Sequence, residues 1–573
     1  MHPYAPQLSG TARDETNNTP VLPISGKTSA VIDVLIVGCG PVGATLGVLL
    51  GDLGVSVRVI DSAEMICEAP RAIALDNEAL RILQQAGIGE TDFERIAIPQ
   101  VRMRSPMFGV FARIDTTGTL DGHPKLVTFY QPDLERALRR RLASQKTVQM
   151  KLGISLTDLQ QDAGGVDVSL LDASGLPSWL RARYVIGADG AGSIVRKLIG
   201  QDFHGRSFGE DWLIVDALDV PHPIDHVEFV CDPKRPTPHM VAPGGRERWE
   251  FMLKPGESAK MMTDDARIHA LLADWGCPPE VKIERKAVYR FHARVVDRFQ
   301  MGRVFLIGDA AHITPPFAGQ GLVAGLRDCA NLAWKLAWVL RGHAAEVVLE
   351  SYNTERRPHA RAMIALARMM GRLVMPMNAV TAFFTHGGIR IARLFPGLRR
   401  QLEDQSAKPQ NSFAKGLFVR GARRSGLQRG GLLPQGWMRA ADGRIELSDE
   451  ALGNALTLIC FGTDIVLDSE ISAAFAAAGG QVVQICHRGQ ALHLSSRDAV
   501  WEDIDGSFLS KVVSVGWAAV VRPDRIVLND GPAVDASRLV RESLQILGGP
   551  ISLGGAVTPA HHPLNCGPSR NSV

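Results

Sequence analysis

The apolar positions of this chain change period along its length, and each change marks a boundary. Val34-Leu35-Ile36-Val37 is apolar at consecutive positions, the pattern of a strand buried on both faces. It leads into Gly38-Cys39-Gly40-Pro41-Val42-Gly43, an apolar helical stretch from Ala44 to Leu53, a turn at Gly54 and a second strand, Val55 to Ile60, ending on Asp61. Strand and helix patterns keep alternating to about residue 200, which predicts a doubly wound α/β domain. Between 205 and 295 the period drops to two, as in His226 to Val230 and Trp249 to Leu253, and predicts an antiparallel sheet. A strand at Val304 returns the chain to the first domain. A helix from Gln320 to Leu340 follows, and its stripe of Leu322, Leu326, Leu332, Leu336 and Leu340 reads as core packing. Strand patterns resume at Leu456 to Phe461, Val482 to Ile485 and Ala518 to Val521.

These changes divide the chain into a polar leader (1–30) read as flexible, an α/β domain in two parts (31–204 and 296–398), an inserted sheet domain (205–295), an aperiodic linker rich in Arg, Gly, Gln and Ser (399–440), a small C-terminal domain (441–555) and a tail (556–573).

The first glycine run is a dinucleotide fingerprint in its proper context. Gly38 permits the tight turn, Gly40 lets a pyrophosphate approach the backbone, and Gly43 lets helix and strand pack closely, with Pro41 and Val42 between them. Asp61, 23 residues beyond Gly38, is placed to accept hydrogen bonds from a ribose. The plainer reading, a glycine-rich turn in some other α/β unit, leaves that terminal carboxylate unexplained. Two further strand-to-turn segments carry a carboxylate next to glycine: Tyr184 to Ser193, with Asp189-Gly190, and Gly302 to Gly321, with Gly308-Asp309 and then Thr314-Pro315-Pro316-Phe317-Ala318-Gly319-Gln320-Gly321. The second of these places a carboxylate and the free N–H groups of a helix start at one spot, which suits a polar, partly anionic cofactor.

In order and spacing these three motifs resemble the class A flavoprotein aromatic hydroxylases, whose fold is that of para-hydroxybenzoate hydroxylase; the likeness covers roughly residues 31 to 400. Within that family the chain looks most like the 3-(3-hydroxyphenyl)propionate hydroxylases, through Pro70-Arg71-Ala72, Tyr130 to Glu135, Arg248 to Leu253 and the run from Gly308 to Gly321. The resemblance implies a Rossmann-like FAD domain with an inserted substrate sheet. It also implies a C-terminal domain like the thioredoxin-like domain of phenol hydroxylases, here without a Cys-x-x-Cys pair. It implies that Asp309 bonds the FAD ribityl chain, that Gln131 and Arg71 touch the ribityl-pyrophosphate region, and that Asp189 links the pyrophosphate to nicotinamide-nucleotide use. Pro315 and Pro316 would border the site of oxygen transfer. Gly319, Gly321 and Leu322 would bring the following helix start up to the flavin, where its N–H groups and dipole would stabilise the reduced, anionic ring. One departure stands out: the family's Met-Asn-Ser after Gly-Gln-Gly is Leu322-Val323-Ala324 here.

The implied reaction is hydroxylation of a phenol ortho or para to its hydroxyl through a flavin C4a-hydroperoxide, with NADH or NADPH as transient reductant and O2 as oxidant; the resemblance favours NADH. The cofactor carries the difficult chemistry and the protein orients and shields it. A base near the substrate hydroxyl would assist. His239, His292 and His312 are candidates, though a lone histidine is more often a structural hydrogen-bonder, and Trp249 and Phe317 read equally as pocket wall or core. The alternatives are a tailoring oxygenase acting on a polycyclic or heteroaromatic substrate, and a non-catalytic binding protein that retains the FAD fold.

Composition narrows the classes further. With 63 basic and 60 acidic residues the 573-residue chain has no strong field to draw nucleic acid or anionic lipid. Apolar runs such as Val42 to Leu50 fall short of the ~20 residues of a membrane span, and the leader lacks a signal-peptide core, so a cytoplasmic enzyme is expected. The eight cysteines show neither zinc spacing nor a disulfide framework, and no metal is expected. The expected partners are a small aromatic substrate and a second copy in a homodimer; for the C-terminal domain, packing or dimerisation is expected rather than redox chemistry.

Overall fold

The structure, a computed structural model, describes residues 31–403, 408–422, 425–490, 499–509 and 511–548. The leader and the tail lie outside the described residues. The first sheet takes its order from buried apolar strands: β1 (Ile32–Val37) is central, paired in parallel with β2 (Val57–Asp61) on one side and β8 (Pro177–Gly187) on the other. The parallel strand β5 (Val148–Leu152) extends it beyond β2, and the meander of β6 (Ile154–Gln161) and β7 (Val166–Asp172) extends it beyond β8. The short β14 (Val304–Leu306) also pairs with the far end of β8 in parallel. Helices α1 (Pro41–Asp52) and α3 (Gln131–Ala143) cover it, with α7 (Gly321–Leu340) packed on α1. Register does the rest: Val37 pairs with both Ile60 and Gly187, and Gly187 with Leu306. Four strand ends therefore finish level, and Gly38, Asp61, Asp189 and Gly308 leave the sheet at the same edge.

The second sheet has the order β15-β13-β9-β12-β11-β10-β3-β4, formed by β3 (Gln100–Ser105), β4 (Gly109–Asp115), β9 (Phe203–Leu218), β10 (Val227–Val230), β11 (Thr237–Ala242), β12 (Arg246–Met252), β13 (Lys282–Val296) and β15 (His312–Ile313). The expected insertion thus recruits two strands from residues 100–115, and it is mixed, because β10 and β3 run parallel. One face buries Leu213, Val215, Trp249 and Phe251 under α5 (Ala259–Met262) and α6 (Asp265–Ala273). The other carries Met103, Trp212, Ile214, Met252 and Phe291 and packs against Phe317 and Val374, the latter at the end of α8 (Glu350–Val374).

The third sheet, β17-β16-β20-β19-β18-β21-β22, comprises β16 (Trp437–Ala440), β17 (Ile445–Leu447), β18 (Leu456–Phe461), β19 (Gly480–His487), β20 (Val500–Asp503), β21 (Trp517–Val521) and β22 (Val527–Pro532). Parallel β18 and β19 are joined through α12 (Ser469–Ala477), and the antiparallel β21–β22 pair precedes α13 (Ala536–Leu547). Cys460 and Cys486 are buried, and burial pushes their thiols up to about 12 and about 11, so neither is a nucleophile. The domain is docked rather than tethered. Leu456, Leu458, Phe475 and Leu544 belong to the same hydrophobic core as β1 and α7, and Trp338 Nε1 donates to the Ala478 carbonyl (3.0 Å). The stretch expected to be a linker begins inside α10 (Pro396–Glu403), buries Phe413, Leu417, Leu427 and Leu433, and ends in β16.

Candidate functional site

The glycines of the β1–α1 turn divide into two kinds. A Cβ on Gly43 would sit 2.0 Å from the Gly38 carbonyl oxygen, and one on Gly38, at φ +107°, would sit 2.4 Å from the Ala188 carbonyl oxygen. Both are close approaches that only glycine permits. Gly40 instead faces open space, with nothing within 4 Å of a Cβ, and it precedes the N-terminus of α1, where Pro41 occupies the first turn and no side chain caps the free N–H groups. That is a cradle a pyrophosphate would fill. Val42 packs on Gly308 and Gly325 and so ties this turn to the Gly308 loop. Asp61 accepts from the Cys39 and Ala63 N–H groups (2.7 and 2.8 Å).

The Gly308 loop completes the recess. Asp309 accepts no hydrogen bond from any described residue; burial raises its pKa, opposed by His312 and Arg71. The Thr314 hydroxyl is buried without a partner in the same loop. Pro315 is buried, Pro316 opens a single 3₁₀ turn, and Gly319 sits at φ +62° immediately before α7. The Gln320 side chain is occupied by Asp76 and Arg327, which leaves the α7 N–H groups at Gly321 and Leu322 free of a side-chain cap. An unpartnered carboxylate, an orphaned hydroxyl, a glycine cradle and an uncapped helix start together fit FAD.

Three implied contacts take a different form. Gln131 Oε1 accepts from the Arg71 and Ala72 N–H groups (2.9 and 2.8 Å), so it shapes the Pro70–Ala72 loop through its backbone. The Arg71 side chain is exposed beside the recess. Asp189 spends both oxygens on Ser193 Oγ and the Ile194 and Val195 N–H groups at the start of α4 (Ile194–Leu198).

Strand alternation corrects the catalytic candidates. On β12, Glu247, Trp249 and Phe251 point to the α5–α6 side, away from Phe317, and Trp249 is core there. His239 pairs with Trp249 across the ladder, stacks on its ring (4.5 Å) and bonds Glu247 (2.5 Å), so it too faces away from the recess. His292 lies one residue out of phase with the inward-facing Phe291 and bonds Ser207 (2.9 Å). His312 is buried against Asp328 (2.8 Å) and pins the loop. What does face Phe317 is an aromatic wall: Phe208, Trp212 and Phe291 each contact its ring at 5.7 Å. Glu250 shares that inner face, opposite Ile214. Sequence reading passed over it, although Arg248, Glu250 and Met252 stand at period two in a strand already recognised.

Comparison with known proteins accords with this geometry. Residues 31–367 match the FAD binding domain family, and residues 430–545 match the HcaD C-terminal domain. A 3-(3-hydroxy-phenyl)propionate/3-hydroxycinnamic acid hydroxylase of Burkholderia vietnamiensis is 35% identical over 515 residues, 87% of this chain and 94% of that protein. A hydroxylase of the same name from Comamonas testosteroni is 31% identical, over 91% of this chain and 97% of its own length. The flavin-dependent monooxygenase PieE, solved with FAD and substrate, superposes with a TM-score of 0.75 at 21% identity, over 91% of this chain and 99% of its own, and shares the fold. Open glycine cradle, unpartnered Asp309, covering sheet and sequence identity together make this chain a member of the FAD-dependent flavoprotein aromatic hydroxylases, in the family of the 3-(3-hydroxyphenyl)propionate/3-hydroxycinnamic acid hydroxylases.

Proposed function

We propose that the protein hydroxylates a phenol bearing a short carboxylic side chain, 3-(3-hydroxyphenyl)propionate or a near relative, ortho or para to the existing hydroxyl, with NAD(P)H and O2. The observation that carries this reading is the aromatic cluster of Phe208, Trp212 and Phe291 packed on Phe317, which makes the junction between the Pro315–Gly319 loop and the second sheet apolar and aromatic, as a phenol ring requires. The names of the curated relatives supply the substrate class. Bound FAD, once reduced, supplies the oxygen-activating chemistry. The chain's own residues do the rest. Gly38 and Gly43 allow the tight β1–α1 turn, Gly40 admits the pyrophosphate, Asp309 fixes the ribityl chain, Pro315 and Pro316 stiffen the loop beside the ring, and the α7 N-terminus places positive dipole where negative charge develops. The covering sheet excludes water.

A second reading, a larger polycyclic or heteroaromatic substrate, draws on Leu322-Val323-Ala324. Val323 and Ala324 are fully buried in α7 packing, so Leu322 alone of the three retains exposure at the helix start. Substrate-stimulated NAD(P)H oxidation and product analysis across hydroxyphenyl acids, simple phenols, pyridinols, quinolones and naphthols separate the two. Product from 3-(3-hydroxyphenyl)propionate supports the first; stimulation by the bicyclic compounds alone overturns it. The reading includes a homodimer, for which α9 (Ala379–Ala392) and the turn after it expose Phe384, Ile391, Leu394 and Phe395. Sedimentation equilibrium tests this part, and a monomer at every concentration removes it.

A further inference from the structure

The inner face of the second sheet holds a carboxyl group for which the fold provides no partner. Its neighbours are all accounted for: Asp216 is held by Arg248 (2.6 and 2.9 Å) and Arg285 (3.3 Å), and Glu247 by His239 and the Ile224 N–H. Glu250 is only 7% exposed, yet among the described residues it accepts no hydrogen bond and forms no ion pair. Buried acids without partners are costly and call for an explanation.

Position supplies one. Glu250 lies between Arg248 and Met252 on β12, each two residues and roughly 7 Å along the strand. The Met252 row pairs with Trp212, whose ring meets Phe317 in the loop before α7. The Arg248 row reaches the FAD domain at another point, donating to the Pro70 and Arg71 carbonyls (both 3.2 Å). Glu250 is thus bracketed by two contacts of the sheet with the cofactor loops, and faces the space between them. The Trp212 indole N–H, one row away on the same face, is also buried without an acceptor.

We propose that Glu250 receives the ring hydroxyl of the substrate, first as hydrogen-bond acceptor and then as the base that takes its proton. This rests on the reading above that the substrate is a phenol. The step is a proton transfer and nothing more. The phenolic O–H bond breaks, the proton forms an O–H bond with a Glu250 carboxylate oxygen, and the electron pair stays on the phenolic oxygen, from where it activates the ortho and para carbons. When the hydroxylated ring gives its C–H proton to water and the C–H electron pair restores aromaticity, the Glu250 carboxylic acid returns its proton to the ring oxygen and is a carboxylate again. The facing groups keep it in a useful range: Arg248 from β12, Asp216 from β9, and Arg285 with the Tyr289 hydroxyl it bonds from β13. Burial pushes the acid up to about 7, with Asp216 adding to the rise and Arg248 and Arg285 opposing it. A base is most effective with its pKa near the operating pH.

The test uses the FAD-loaded enzyme and a pair of probes, 3-(3-hydroxyphenyl)propionate and 3-phenylpropionate, which differ only in the ring hydroxyl. The ratio of their dissociation constants, followed from pH 6 to 9 by calorimetry, cancels the effect of the shared carboxylate. In the wild type the preference for the hydroxyl is expected to grow as pH rises through about 7. In Glu250→Gln the ratio is expected to be flat, with turnover down by about 100-fold or more, while melting temperature and FAD content are unchanged. Glu250→Asp, a carboxylate one methylene shorter, is expected to keep the pH dependence at reduced turnover. A Glu250→Gln enzyme that retains either the rising ratio or wild-type turnover overturns the proposal, as does a wild type whose ratio is flat. A wild type that hydroxylates no phenol in the panel is a different failure, and it falls on the proposed function.

Discussion

Asp309 and Asp328 lie on either side of one loop and have opposite surroundings. Asp328 accepts from the Gly308 N–H (3.0 Å), His312 Nε2 (2.8 Å) and Arg356 Nε (2.9 Å). Burial alone would raise its pKa, but His312 and Arg356 outweigh burial and lower it, so it stays charged and holds the loop. Asp309, next in chain to Gly308, accepts nothing from the described residues and is raised by burial. A carboxylate kept free in a recess is a site for donors the protein does not supply, and the ribityl hydroxyls are the donors proposed for it. Asp309→Ala is therefore expected to weaken FAD binding by roughly 10- to 150-fold, the worth of one hydrogen bond to a charged group (~1.5–3 kcal/mol), with the melting temperature of the apoprotein unchanged. Flavin fluorescence titration measures this. An unaltered dissociation constant would mean that the carboxylate does not touch the cofactor. Asp328→Asn should show the reverse pattern, since its loss leaves Arg356 buried without its charge partner.

At the scale of the element, the β1–α1 turn separates folding from binding within a few residues. Gly43→Ala forces a methyl against the Gly38 carbonyl at 2.0 Å and should lower stability and flavin content together. Gly40→Ala meets nothing within 4 Å in the protein, so it should fold with the wild-type melting temperature and lose FAD, because the methyl occupies the pyrophosphate's approach. Equal losses of stability in both variants would contradict this division. This element was readable in the sequence because three constraints coincide there: a doubly buried strand, glycines at fixed spacing and a terminal acid. The second sheet was readable only to its period. Alternation separates Glu247, Trp249 and Phe251 from Arg248, Glu250 and Met252, but which set faces the flavin depends on where α5 and α6 pack, and no local pattern encodes that. The aromatic residues therefore drew attention as pocket candidates, whereas Glu250 was assigned no role. Recruitment of residues 100–115 into this sheet escaped for the same reason, since the β10–β3 pairing joins positions more than a hundred residues apart.

At the scale of the molecule, two buried ion clusters hold the third sheet against the FAD domain. In one, Arg81 from α2 (Asn77–Gln85) makes a two-pronged bond to Asp449 (2.7 Å each), which Arg525 also approaches (3.2 Å). In the other, Glu355 of α8 accepts from Arg522 (2.7 and 3.0 Å), Lys335 and Asn331 of α7 (2.8 and 2.7 Å) and the Leu417 N–H (2.7 Å). Burial works against both acids, but Arg522 and Lys335 hold Glu355 far below the ordinary carboxylate range, and Arg81 and Arg525 hold Asp449 at about 2. An acid whose folded pKa is depressed contributes stability that is fully present above its unfolded value near 4 and is lost as pH falls through the folded one. The docking should therefore be indifferent to pH between about 5 and 7 and fail between about 4 and 2, before the hydrophobic core shared by α7 and the third sheet is itself disrupted. Arg522→Ala should bring that failure to neutral pH. It removes the cation that Glu355 and Asp524 share and leaves Lys335 to balance Glu355, at a cost of about 3–5 kcal/mol, whereas replacing the whole cluster with apolar residues of equal volume should cost little. Three of the nine tryptophans, Trp437, Trp501 and Trp517, lie in the third sheet, so with the other six replaced by Phe tryptophan fluorescence reports on that sheet, while flavin absorbance reports on the FAD domain. Undocking in Arg522→Ala is expected to shift the tryptophan transition to lower temperature ahead of flavin release. Coincident transitions in the variant would show that the two regions unfold as one unit and that the ion clusters do not set the boundary between them.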